Sequence, residues 1–254
     1  MSDDVRIEIS ARVMEITFDR VAKKNALTQA MYAAAAAGFA QASSDDGIRC
    51  VLITGGDEVF TAGNDVGDFT AAPAQTSDRQ SGDMMRAILD FPKPVVAAVS
   101  GYAVGIGTTM LLHMDLVYAD ETAIFRTPFV DLGLTPEFAS TQTLPRLVGY
   151  QRAAEMLLLN AKIDAQAAIA MGLVNAVLPA GQCLAHARQV ARTLAAKPPS
   201  ALRDTKALMR AHPESDLDRM NRENKVFESH LQSPELKEAV AAFQEKRAPD
   251  FSGF

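Results

Sequence analysis

The sequence predicts an α/β fold in which most strands pair in parallel. Apolar and polar residues alternate at period two over residues 6–9 and 13–18, which is typical of a hairpin with one face in solvent. Continuously apolar runs follow at 50–54 and 95–99, as expected for strands that are covered on both faces. Helix-forming segments separate these runs, and strands that alternate with helices indicate parallel pairing.

The first part of the chain is predicted to contain a helix and a loop between these strands. Thr28 is the expected N-cap of a helix over residues 29–41, where alanines favour helix everywhere except at Gly38. Residues 70–83 are small, polar and without periodicity, which predicts a mobile loop.

Later in the chain, residues 95–112 predict a strand, a glycine turn and a buried helix. The apolar runs at 116–119 and 172–178 predict two further strands. Three helices are then expected, at 201–210, 217–231 and 234–246. Ser200 and Ser233 are the expected caps of the first and the last of these helices.

Composition and charge exclude several classes of protein. The chain of 254 residues is 48% hydrophobic and 22% charged, which is typical of a folded globular protein and not of a disordered one. A net charge of -6 makes nucleic acid an unexpected partner. Cys50 and Cys183 form no CxxC pair and the four histidines lack metal-ligand spacing, so neither a disulfide framework nor a metal site is predicted.

The amino terminus predicts a cytoplasmic protein. Residues 1–10 carry acidic side chains where a secretory signal needs basic ones. Residues 95–114 hold no charged side chain apart from His113 and are about as long as a bilayer span, but glycines interrupt them. We therefore expect no membrane contact.

Familiar nucleotide-binding and hydrolase motifs do not fit the sequence. Gly105 and Gly107 follow a strand, yet Met110 stands where the dinucleotide fingerprint needs its third glycine. The chain has no Walker A lysine and no GxSxG elbow. Nicotinamide binding is therefore not predicted, and each histidine is interpreted as a core or solvent-exposed residue.

Two glycine turns remain, at residues 61–65 and 104–107. One interpretation is a tight connection between strand and helix, which glycine permits. The other interpretation requires both turns together, because backbone N–H groups at such turns can stabilise the oxyanion that forms when an acyl group enolises. The residues alone leave both interpretations open.

The order and spacing of several short motifs resemble the enoyl-CoA hydratase/isomerase, or crotonase, superfamily. The motifs are FDR (18–20), KNAL (24–27), FTAGND (60–65), KPVVA (93–97), GYAVGIG (101–107), MDLVYA (114–119) and GLV (172–174). The resemblance implies a spiral of ββα repeats over residues 1–197 and a helical trimerisation region over 198–254. It also implies an acyl-CoA substrate, no separate cofactor, and a homotrimer or homohexamer.

The same resemblance implies the residues of an acyl-CoA site. The N–H groups of Asn64 and Ile106 would bind the thioester oxygen. The implied substrate-binding and coenzyme A-binding positions are Lys24, Ala26, Ala62, Gly63, Asp65, Val66, Gly105, Phe129 and Lys246. Asp65 is also expected to bond turn N–H groups, and a solvated helix end is an equally open interpretation of Lys246.

The sequence departs from the two-glutamate pattern of hydratases in this superfamily. Thr109 and Phe129 stand at the two matching positions, and neither side chain ionises at pH 7. Glu137 is a different acid, within a segment that resembles the peroxisomal-type 3-enoyl-CoA to 2-enoyl-CoA isomerase branch, where the matching glutamate is the only base. A structural alternative makes Thr135 the N-cap and Pro136 the first residue of a helix whose first turn holds Glu137.

Chemistry favours the isomerase interpretation. A single carboxylate can take a proton from C2 and return it at C4. Phe129 and Phe138 are expected to surround that carboxyl of Glu137 and exclude water from it. Asp131 is the nearest competing acid. A hydratase, another enolate reaction such as dehalogenation or decarboxylation, and acyl-CoA binding without catalysis stay open as alternatives.

Overall fold

The computed structural model describes residues 3–67 and 80–254. The strands β1 to β9 are Val5–Ser10, Val13–Phe18, Cys50–Thr54, Val95–Val99, Tyr102–Val104, Leu116–Asp120, Ile124–Arg126, Ile163–Asp164 and Ala176–Leu178. The helices α1 to α10 are Gln29–Ser44, Gln80–Leu89, Ile106–Thr109, Ser140–Val148, Tyr150–Leu159, Ala165–Ala170, Cys183–Ala195, Pro199–Arg210, Asp216–His230 and Pro234–Glu245.

The strands form two sheets. In the larger sheet the order is β1-β2-β3-β4-β6-β9, and every neighbouring pair except β1 and β2 is parallel. In the smaller sheet β5 pairs with β7 in parallel, and β7 pairs with β8 antiparallel. The predicted α/β class with parallel pairing and an initial hairpin is confirmed.

The central strands are buried on both faces. Successive side chains of a strand point to opposite sides of the sheet, so each face packs against a different layer. In β3, Val51 and Ile53 belong to the main core, which includes Met31 of α1. Cys50 and Leu52 face the other way and pack in a second cluster with residues of α7. This arrangement explains why β3 is apolar throughout.

The predictions for the first part of the chain agree with the structure over most of its length. The Thr28 hydroxyl caps α1 by accepting a bond of 3.2 Å from the Met31 N–H, as expected. Of the predicted loop at 70–83, residues 70–79 lie outside the described residues. Residues 80–83 belong to α2, so the loop prediction is wrong there, because Met84 and Ile88 give this segment a buried helical face.

Several predictions for the rest of the chain need correction. The strand at 172–178 is limited to β9, because Gly172 has a φ of +77° and breaks the extended path. Ser200 does not cap α8, which already begins at Pro199, and its hydroxyl bonds Glu235 instead. Ser233 does cap α10, as expected.

The uncharged stretch 95–114 is divided as predicted into a strand, a turn and a helix, with the extra strand β5 between β4 and α3. The helix α3 is only four residues long and continues as the 3-10 turn Met110–His113. None of the helices in residues 3–67 and 80–254 combines the length and the apolar character needed to cross a bilayer.

Candidate active site

The first glycine turn lies against the segment that begins at Lys24. The N–H of Ala62 donates to the oxygen of Lys24 at 2.9 Å, and the N–H of Leu27 donates to the oxygen of Gly63 at 2.8 Å. A third bond runs from the N–H of Asp65 to the oxygen of Leu27 at 2.9 Å. Backbone atoms alone therefore align two segments that are about forty residues apart in the sequence.

Asn25 ties this arrangement to the turn after β3. Its side chain is fully buried and donates to the backbone oxygens of Val59 at 2.7 Å and Gly55 at 3.1 Å. Its side-chain oxygen accepts from the Arg20 N–H at 2.8 Å, and its backbone oxygen accepts from the Thr61 hydroxyl at 2.6 Å. Asn25 belongs to the KNAL motif, and no role was predicted for it from the sequence.

The second glycine turn touches the first. A side chain at Gly63 would place its Cβ 2.8 Å from the backbone oxygen of Val104, and φ at Gly63 is +89°. Gly105 has φ +57° and ψ -118°, a combination that residues with a side chain rarely adopt. Its N–H donates to the oxygen of Arg126 at 2.9 Å, which fixes the turn to the end of β7.

Three backbone N–H groups on these adjacent turns have no protein acceptor within the described part of the chain. They are the N–H groups of Asn64, Ile106 and Gly107. Ile106 is the first residue of α3, so no helical carbonyl is available to it. The family resemblance implies Asn64 and Ile106 as donors to a ligand oxygen, and an N–H group without a protein acceptor is available for such a bond.

Side chains hold the first turn as well. The fully buried Tyr32 donates its hydroxyl to the side-chain oxygen of Asn64 at 2.5 Å. Asp65 accepts from the Arg20 guanidinium at 2.7 Å and from the Gly67 N–H at 3.1 Å. Asp65 therefore bonds a backbone N–H, as expected, but this N–H is that of Gly67, directly after the turn. Tyr32 was not identified from the sequence.

The capping alternative at Thr135 and Pro136 is wrong. Helix α4 begins only at Ser140, and the residue before it, Ala139, offers no capping side chain. The reason is local backbone geometry, because positive φ angles ahead of Ser140 interrupt the helical path. The position of an acid at 137 is therefore not explained by helix capping.

Glu137 lies instead in a tightly held loop. The next two residues, Phe138 and Ala139, have φ angles of +58° and +53°. The N–H and hydroxyl of Ser140 both donate to the backbone oxygen of Glu137, at 3.1 and 2.6 Å. The carboxyl oxygen Oε1 of Glu137 is screened from solvent. A non-glycine residue in the left-handed region of φ and ψ costs about 1–3 kcal/mol of stability, and such residues often mark functional sites.

His113 contacts the same loop. Its Nε2 lies 2.7 Å from the backbone oxygen of Phe138, and the two rings stack at 4.2 Å between centroids. His113 ends the 3-10 turn that continues α3, and α3 begins at Ile106. One helical segment therefore joins the second glycine turn to the loop of Glu137.

A model of the family described as enoyl-CoA hydratase/isomerase matches residues 8–253. The chain belongs to this family. Its structure has the crotonase-like α/β fold that the motifs imply. Solved structures support the assignment: one from Magnetospirillum magneticum AMB-1, named after enoyl-CoA hydratase/carnithine racemase, is 46% identical and superposes with a TM-score of 0.96. That match covers 99% of this chain and 100% of the other.

Curated relatives in the enoyl-CoA hydratase/isomerase family carry different names. Enoyl-CoA delta isomerase 2 of Rattus norvegicus is 36% identical over 87% of this chain. This chain spans only 58% of the length of that relative. The 2,3-dehydroadipyl-CoA hydratase of Escherichia coli strain K12 is 34% identical, with 95% of this chain and 96% of that protein covered. Family membership therefore does not decide between isomerase and hydratase activity, and the residues of the site have to be considered.

The positions that the family resemblance assigns to hydratase glutamates are buried in this member. Thr109 is 1% exposed and Phe129 is 7% exposed. The Thr109 hydroxyl has no hydrogen-bond partner among the described residues. Neither position holds a group that exchanges protons at neutral pH.

Other implied residues lie around the turns or farther along the chain. Ala26 accepts a bond of 3.0 Å from the Arg20 guanidinium, and Val66 is 73% exposed. The ammonium of Lys24 lies 5.7 Å from the ring centroid of Tyr102. Lys246 is exposed where α10 ends.

Asp131, the acid that competes with Glu137 for the role of base, is hydrogen-bonded to another side chain. Asp131 accepts a bond of 2.7 Å from the side-chain amide of Asn160. No group of three or more His, Cys, Asp or Glu side chains suited to a metal occurs within residues 3–67 and 80–254.

Proposed function

We propose that this protein is an enoyl-CoA isomerase that moves the double bond of a 3-enoyl-CoA to the 2-position. The observation that carries the proposal is the Glu137 loop, which combines a solvent-screened carboxyl oxygen with two residues held at positive φ. Isomerisation needs one proton-carrying group. Thr109 and Phe129 provide no second one at the hydratase positions.

In the proposed mechanism the Glu137 carboxylate removes a proton from C2 of the acyl chain. The electrons of that C–H bond move toward the thioester oxygen and form a dienolate. The N–H groups of Asn64 and Ile106 bind this oxygen, and loss of one such donor typically lowers kcat by about 10²–10³-fold. The protonated carboxyl then returns its proton at C4, so the double bond lies between C2 and C3 and the composition is unchanged.

For the coenzyme A part of the substrate we propose the edge formed by Lys24, Ala26 and the first turn. The exposed Val66 offers an apolar surface, and Ala62, Gly63, Asp65 and Gly105 offer the backbone of the two turns. Lys246 is proposed for the adenosine phosphate. Its neighbour Arg247 is already paired with Glu238, which supports Lys246 as the available cation.

The proposal is tested by the products of two separate incubations, one with a 3-enoyl-CoA and one with a 2-enoyl-CoA. Conversion of the 3-enoyl-CoA without change of mass supports the isomerase. Addition of one water to the 2-enoyl-CoA as the main reaction contradicts it. Absence of reaction with either substrate favours an enolate enzyme of another kind or an acyl-CoA-binding protein.

Hydration is the second candidate function. The Thr109 hydroxyl is buried and has no hydrogen-bond partner within the described structure, and in a hydratase it would bind the water that is added. A hydroxyl cannot deprotonate that water at neutral pH, however, so Glu137 would have to serve as the base. The same product analysis separates the two candidates.

For the assembly we propose a homotrimer, or a hexamer of two trimers, formed through the C-terminal helices. Helix α9 buries none of its residues within the chain. Leu217 and Phe227 on this helix are 63% and 65% exposed. Light scattering of the purified protein tests this proposal, and a monomeric mass would contradict it.

A further inference from the structure

The loop of Glu137 needs a contact that keeps it in its conformation. Phe138 and Ala139 both lie in the left-handed region, which disfavours residues with side chains. Such a conformation persists only where the surrounding structure holds it. The bonds from Ser140 to the oxygen of Glu137 hold one side of the loop. The peptide that follows Phe138 requires a second restraint.

The ring of His113 provides this restraint. Its Nε2 lies 2.7 Å from the oxygen of Phe138. A carbonyl oxygen only accepts hydrogen bonds, so Nε2 carries the hydrogen and donates it. Stacking of the two rings at an angle of 28° adds a second contact between the same residues. Both contacts act on the residue that directly follows Glu137.

His113 is itself fixed from the C-terminal helices. The guanidinium of Arg210 in α8 donates to the backbone oxygen of His113 at 2.5 Å. The carboxylate of Asp115 lies 3.7 Å from this guanidinium and bonds the ammonium of Lys206 at 2.8 Å. Burial lowers the pKa of His113, which keeps the ring neutral at pH 7. The donor is therefore held in position and in one protonation state.

We propose that His113 is a positioning residue for the base of the reaction. Its bond to the Phe138 oxygen holds the left-handed peptide and thereby sets the direction of the Glu137 carboxyl. The inference rests on the proposed function, because it acts through Glu137. It also couples the base to the oxyanion turn, since Ile106 begins the helical segment that His113 ends.

Two substitutions separate this role from simple core packing. His113→Phe keeps the stacked ring and loses the donor, whereas His113→Gln loses the ring and keeps an N–H donor. Positioning predicts a kcat at least about tenfold lower for His113→Phe, with a near-normal kcat for His113→Gln and with KM and CoA binding within about twofold in both. Packing alone predicts the opposite order. His186→Gln, which changes an exposed ring beside Tyr118, is the matched control.

A double variant ties the effect to the base. In the Glu137→Gln background, His113→Phe should cause no further loss of turnover, because the group that it positions is already absent. A wild-type kcat for His113→Phe, or a further loss in that background, overturns the inference. If Glu137→Gln alone keeps wild-type turnover, the proposed function fails and the role of His113 fails with it.

A measurement on the unsubstituted protein keeps the inference testable if the variants do not fold. Nitrogen-15 spectra of the histidine rings report which ring nitrogen carries hydrogen. We expect the neutral Nε2–H form for His113 at pH 7. The Nδ1–H form would overturn the inference, because its Nε2 has no hydrogen to donate to the Phe138 oxygen.

Discussion

The two glycine turns and the Glu137 loop are held by different means. The turns are held by backbone hydrogen bonds between distant segments, and a side chain at Gly63 would approach the Val104 oxygen to 2.8 Å. The loop contains two non-glycine residues at positive φ, and a distant side chain, His113, bonds it. The turns therefore require the absence of a side chain at Gly63 in addition to the side chains that bond them, whereas the loop depends on one distant side chain.

This difference determines what a substitution does to each half. Where backbone atoms touch, any added Cβ displaces the donors themselves. Where a side chain holds a loop, we expect removal of one donor to change the direction of the base more than the stability of the fold.

Removal of the base is expected to have the largest effect. Glu137→Gln should lower turnover of a 3-enoyl-CoA by at least about a hundredfold, because the amide cannot carry the proton, while CoA binding is kept. Steady-state kinetics and calorimetry with CoA measure the two quantities. Asp131→Asn is the matched control and should keep turnover within about twofold. Unchanged turnover in Glu137→Gln would remove this residue from the mechanism.

Disruption of the first turn comes next. Gly63→Ala should lower kcat by about 10²-fold, since it moves the Asn64 N–H, and should lower the free energy of unfolding by about 1–3 kcal/mol. Gly56 has a similar φ of +84°, and an added Cβ there would have no atom within 4 Å. Gly56→Ala therefore introduces the backbone strain without a contact to another residue. Comparable kcat losses in both variants would show that strain alone is responsible.

A smaller effect is expected at the side chain that anchors the first turn. Tyr32→Phe removes the hydroxyl bonded to the Asn64 side chain and should lower kcat about fivefold, the equivalent of about 1 kcal/mol, with KM unchanged. Tyr118→Phe removes a hydroxyl from a tyrosine of β6 and should leave kcat unchanged. An increase of KM alone in Tyr32→Phe would contradict a role in holding the turn.

The contact between His113 and the Glu137 loop should also make the stability of the protein depend on pH. Burial lowers the pKa of His113 from its usual 6.5, so the unfolded chain takes up a proton that the folded chain does not. The free energy of unfolding should therefore fall as pH drops below about 6.5, by at most about 1.4 kcal/mol per pH unit from this group. Denaturant unfolding of wild type and His113→Gln measures it. Parallel pH dependences of the two proteins would contradict the prediction.

The sequence was most informative where the backbone imposes the constraint. Glycines at 63 and 105, apolar runs in β3 and β4, and the cap at Thr28 each follow from a local rule, and each was predicted. The correct family follows from the spacing of such motifs. The parallel order of the strands also followed from alternation of strands and helices.

The sequence was least informative where a long-range contact decides the structure. Phe138 and Ala139 carry no local signal for positive φ, so a helix that begins at Pro136 stayed open as an alternative. The donor that supports them, His113, lies twenty-five residues away in the sequence. One signal was available: a histidine inside an apolar run must find a partner if it is buried. The partner itself could be found only from the structure.

In the proposed mechanism one carboxyl, that of Glu137, moves the proton, and the two turns hold the oxyanion. A 3-enoyl-CoA that carries deuterium at C2 tests this assignment in ordinary water. Part of the deuterium should appear at C4 of the 2-enoyl-CoA product, because the same carboxyl takes and returns it. Complete replacement of the deuterium by solvent hydrogen at C4, or a product that contains one added water, would contradict the one-base mechanism.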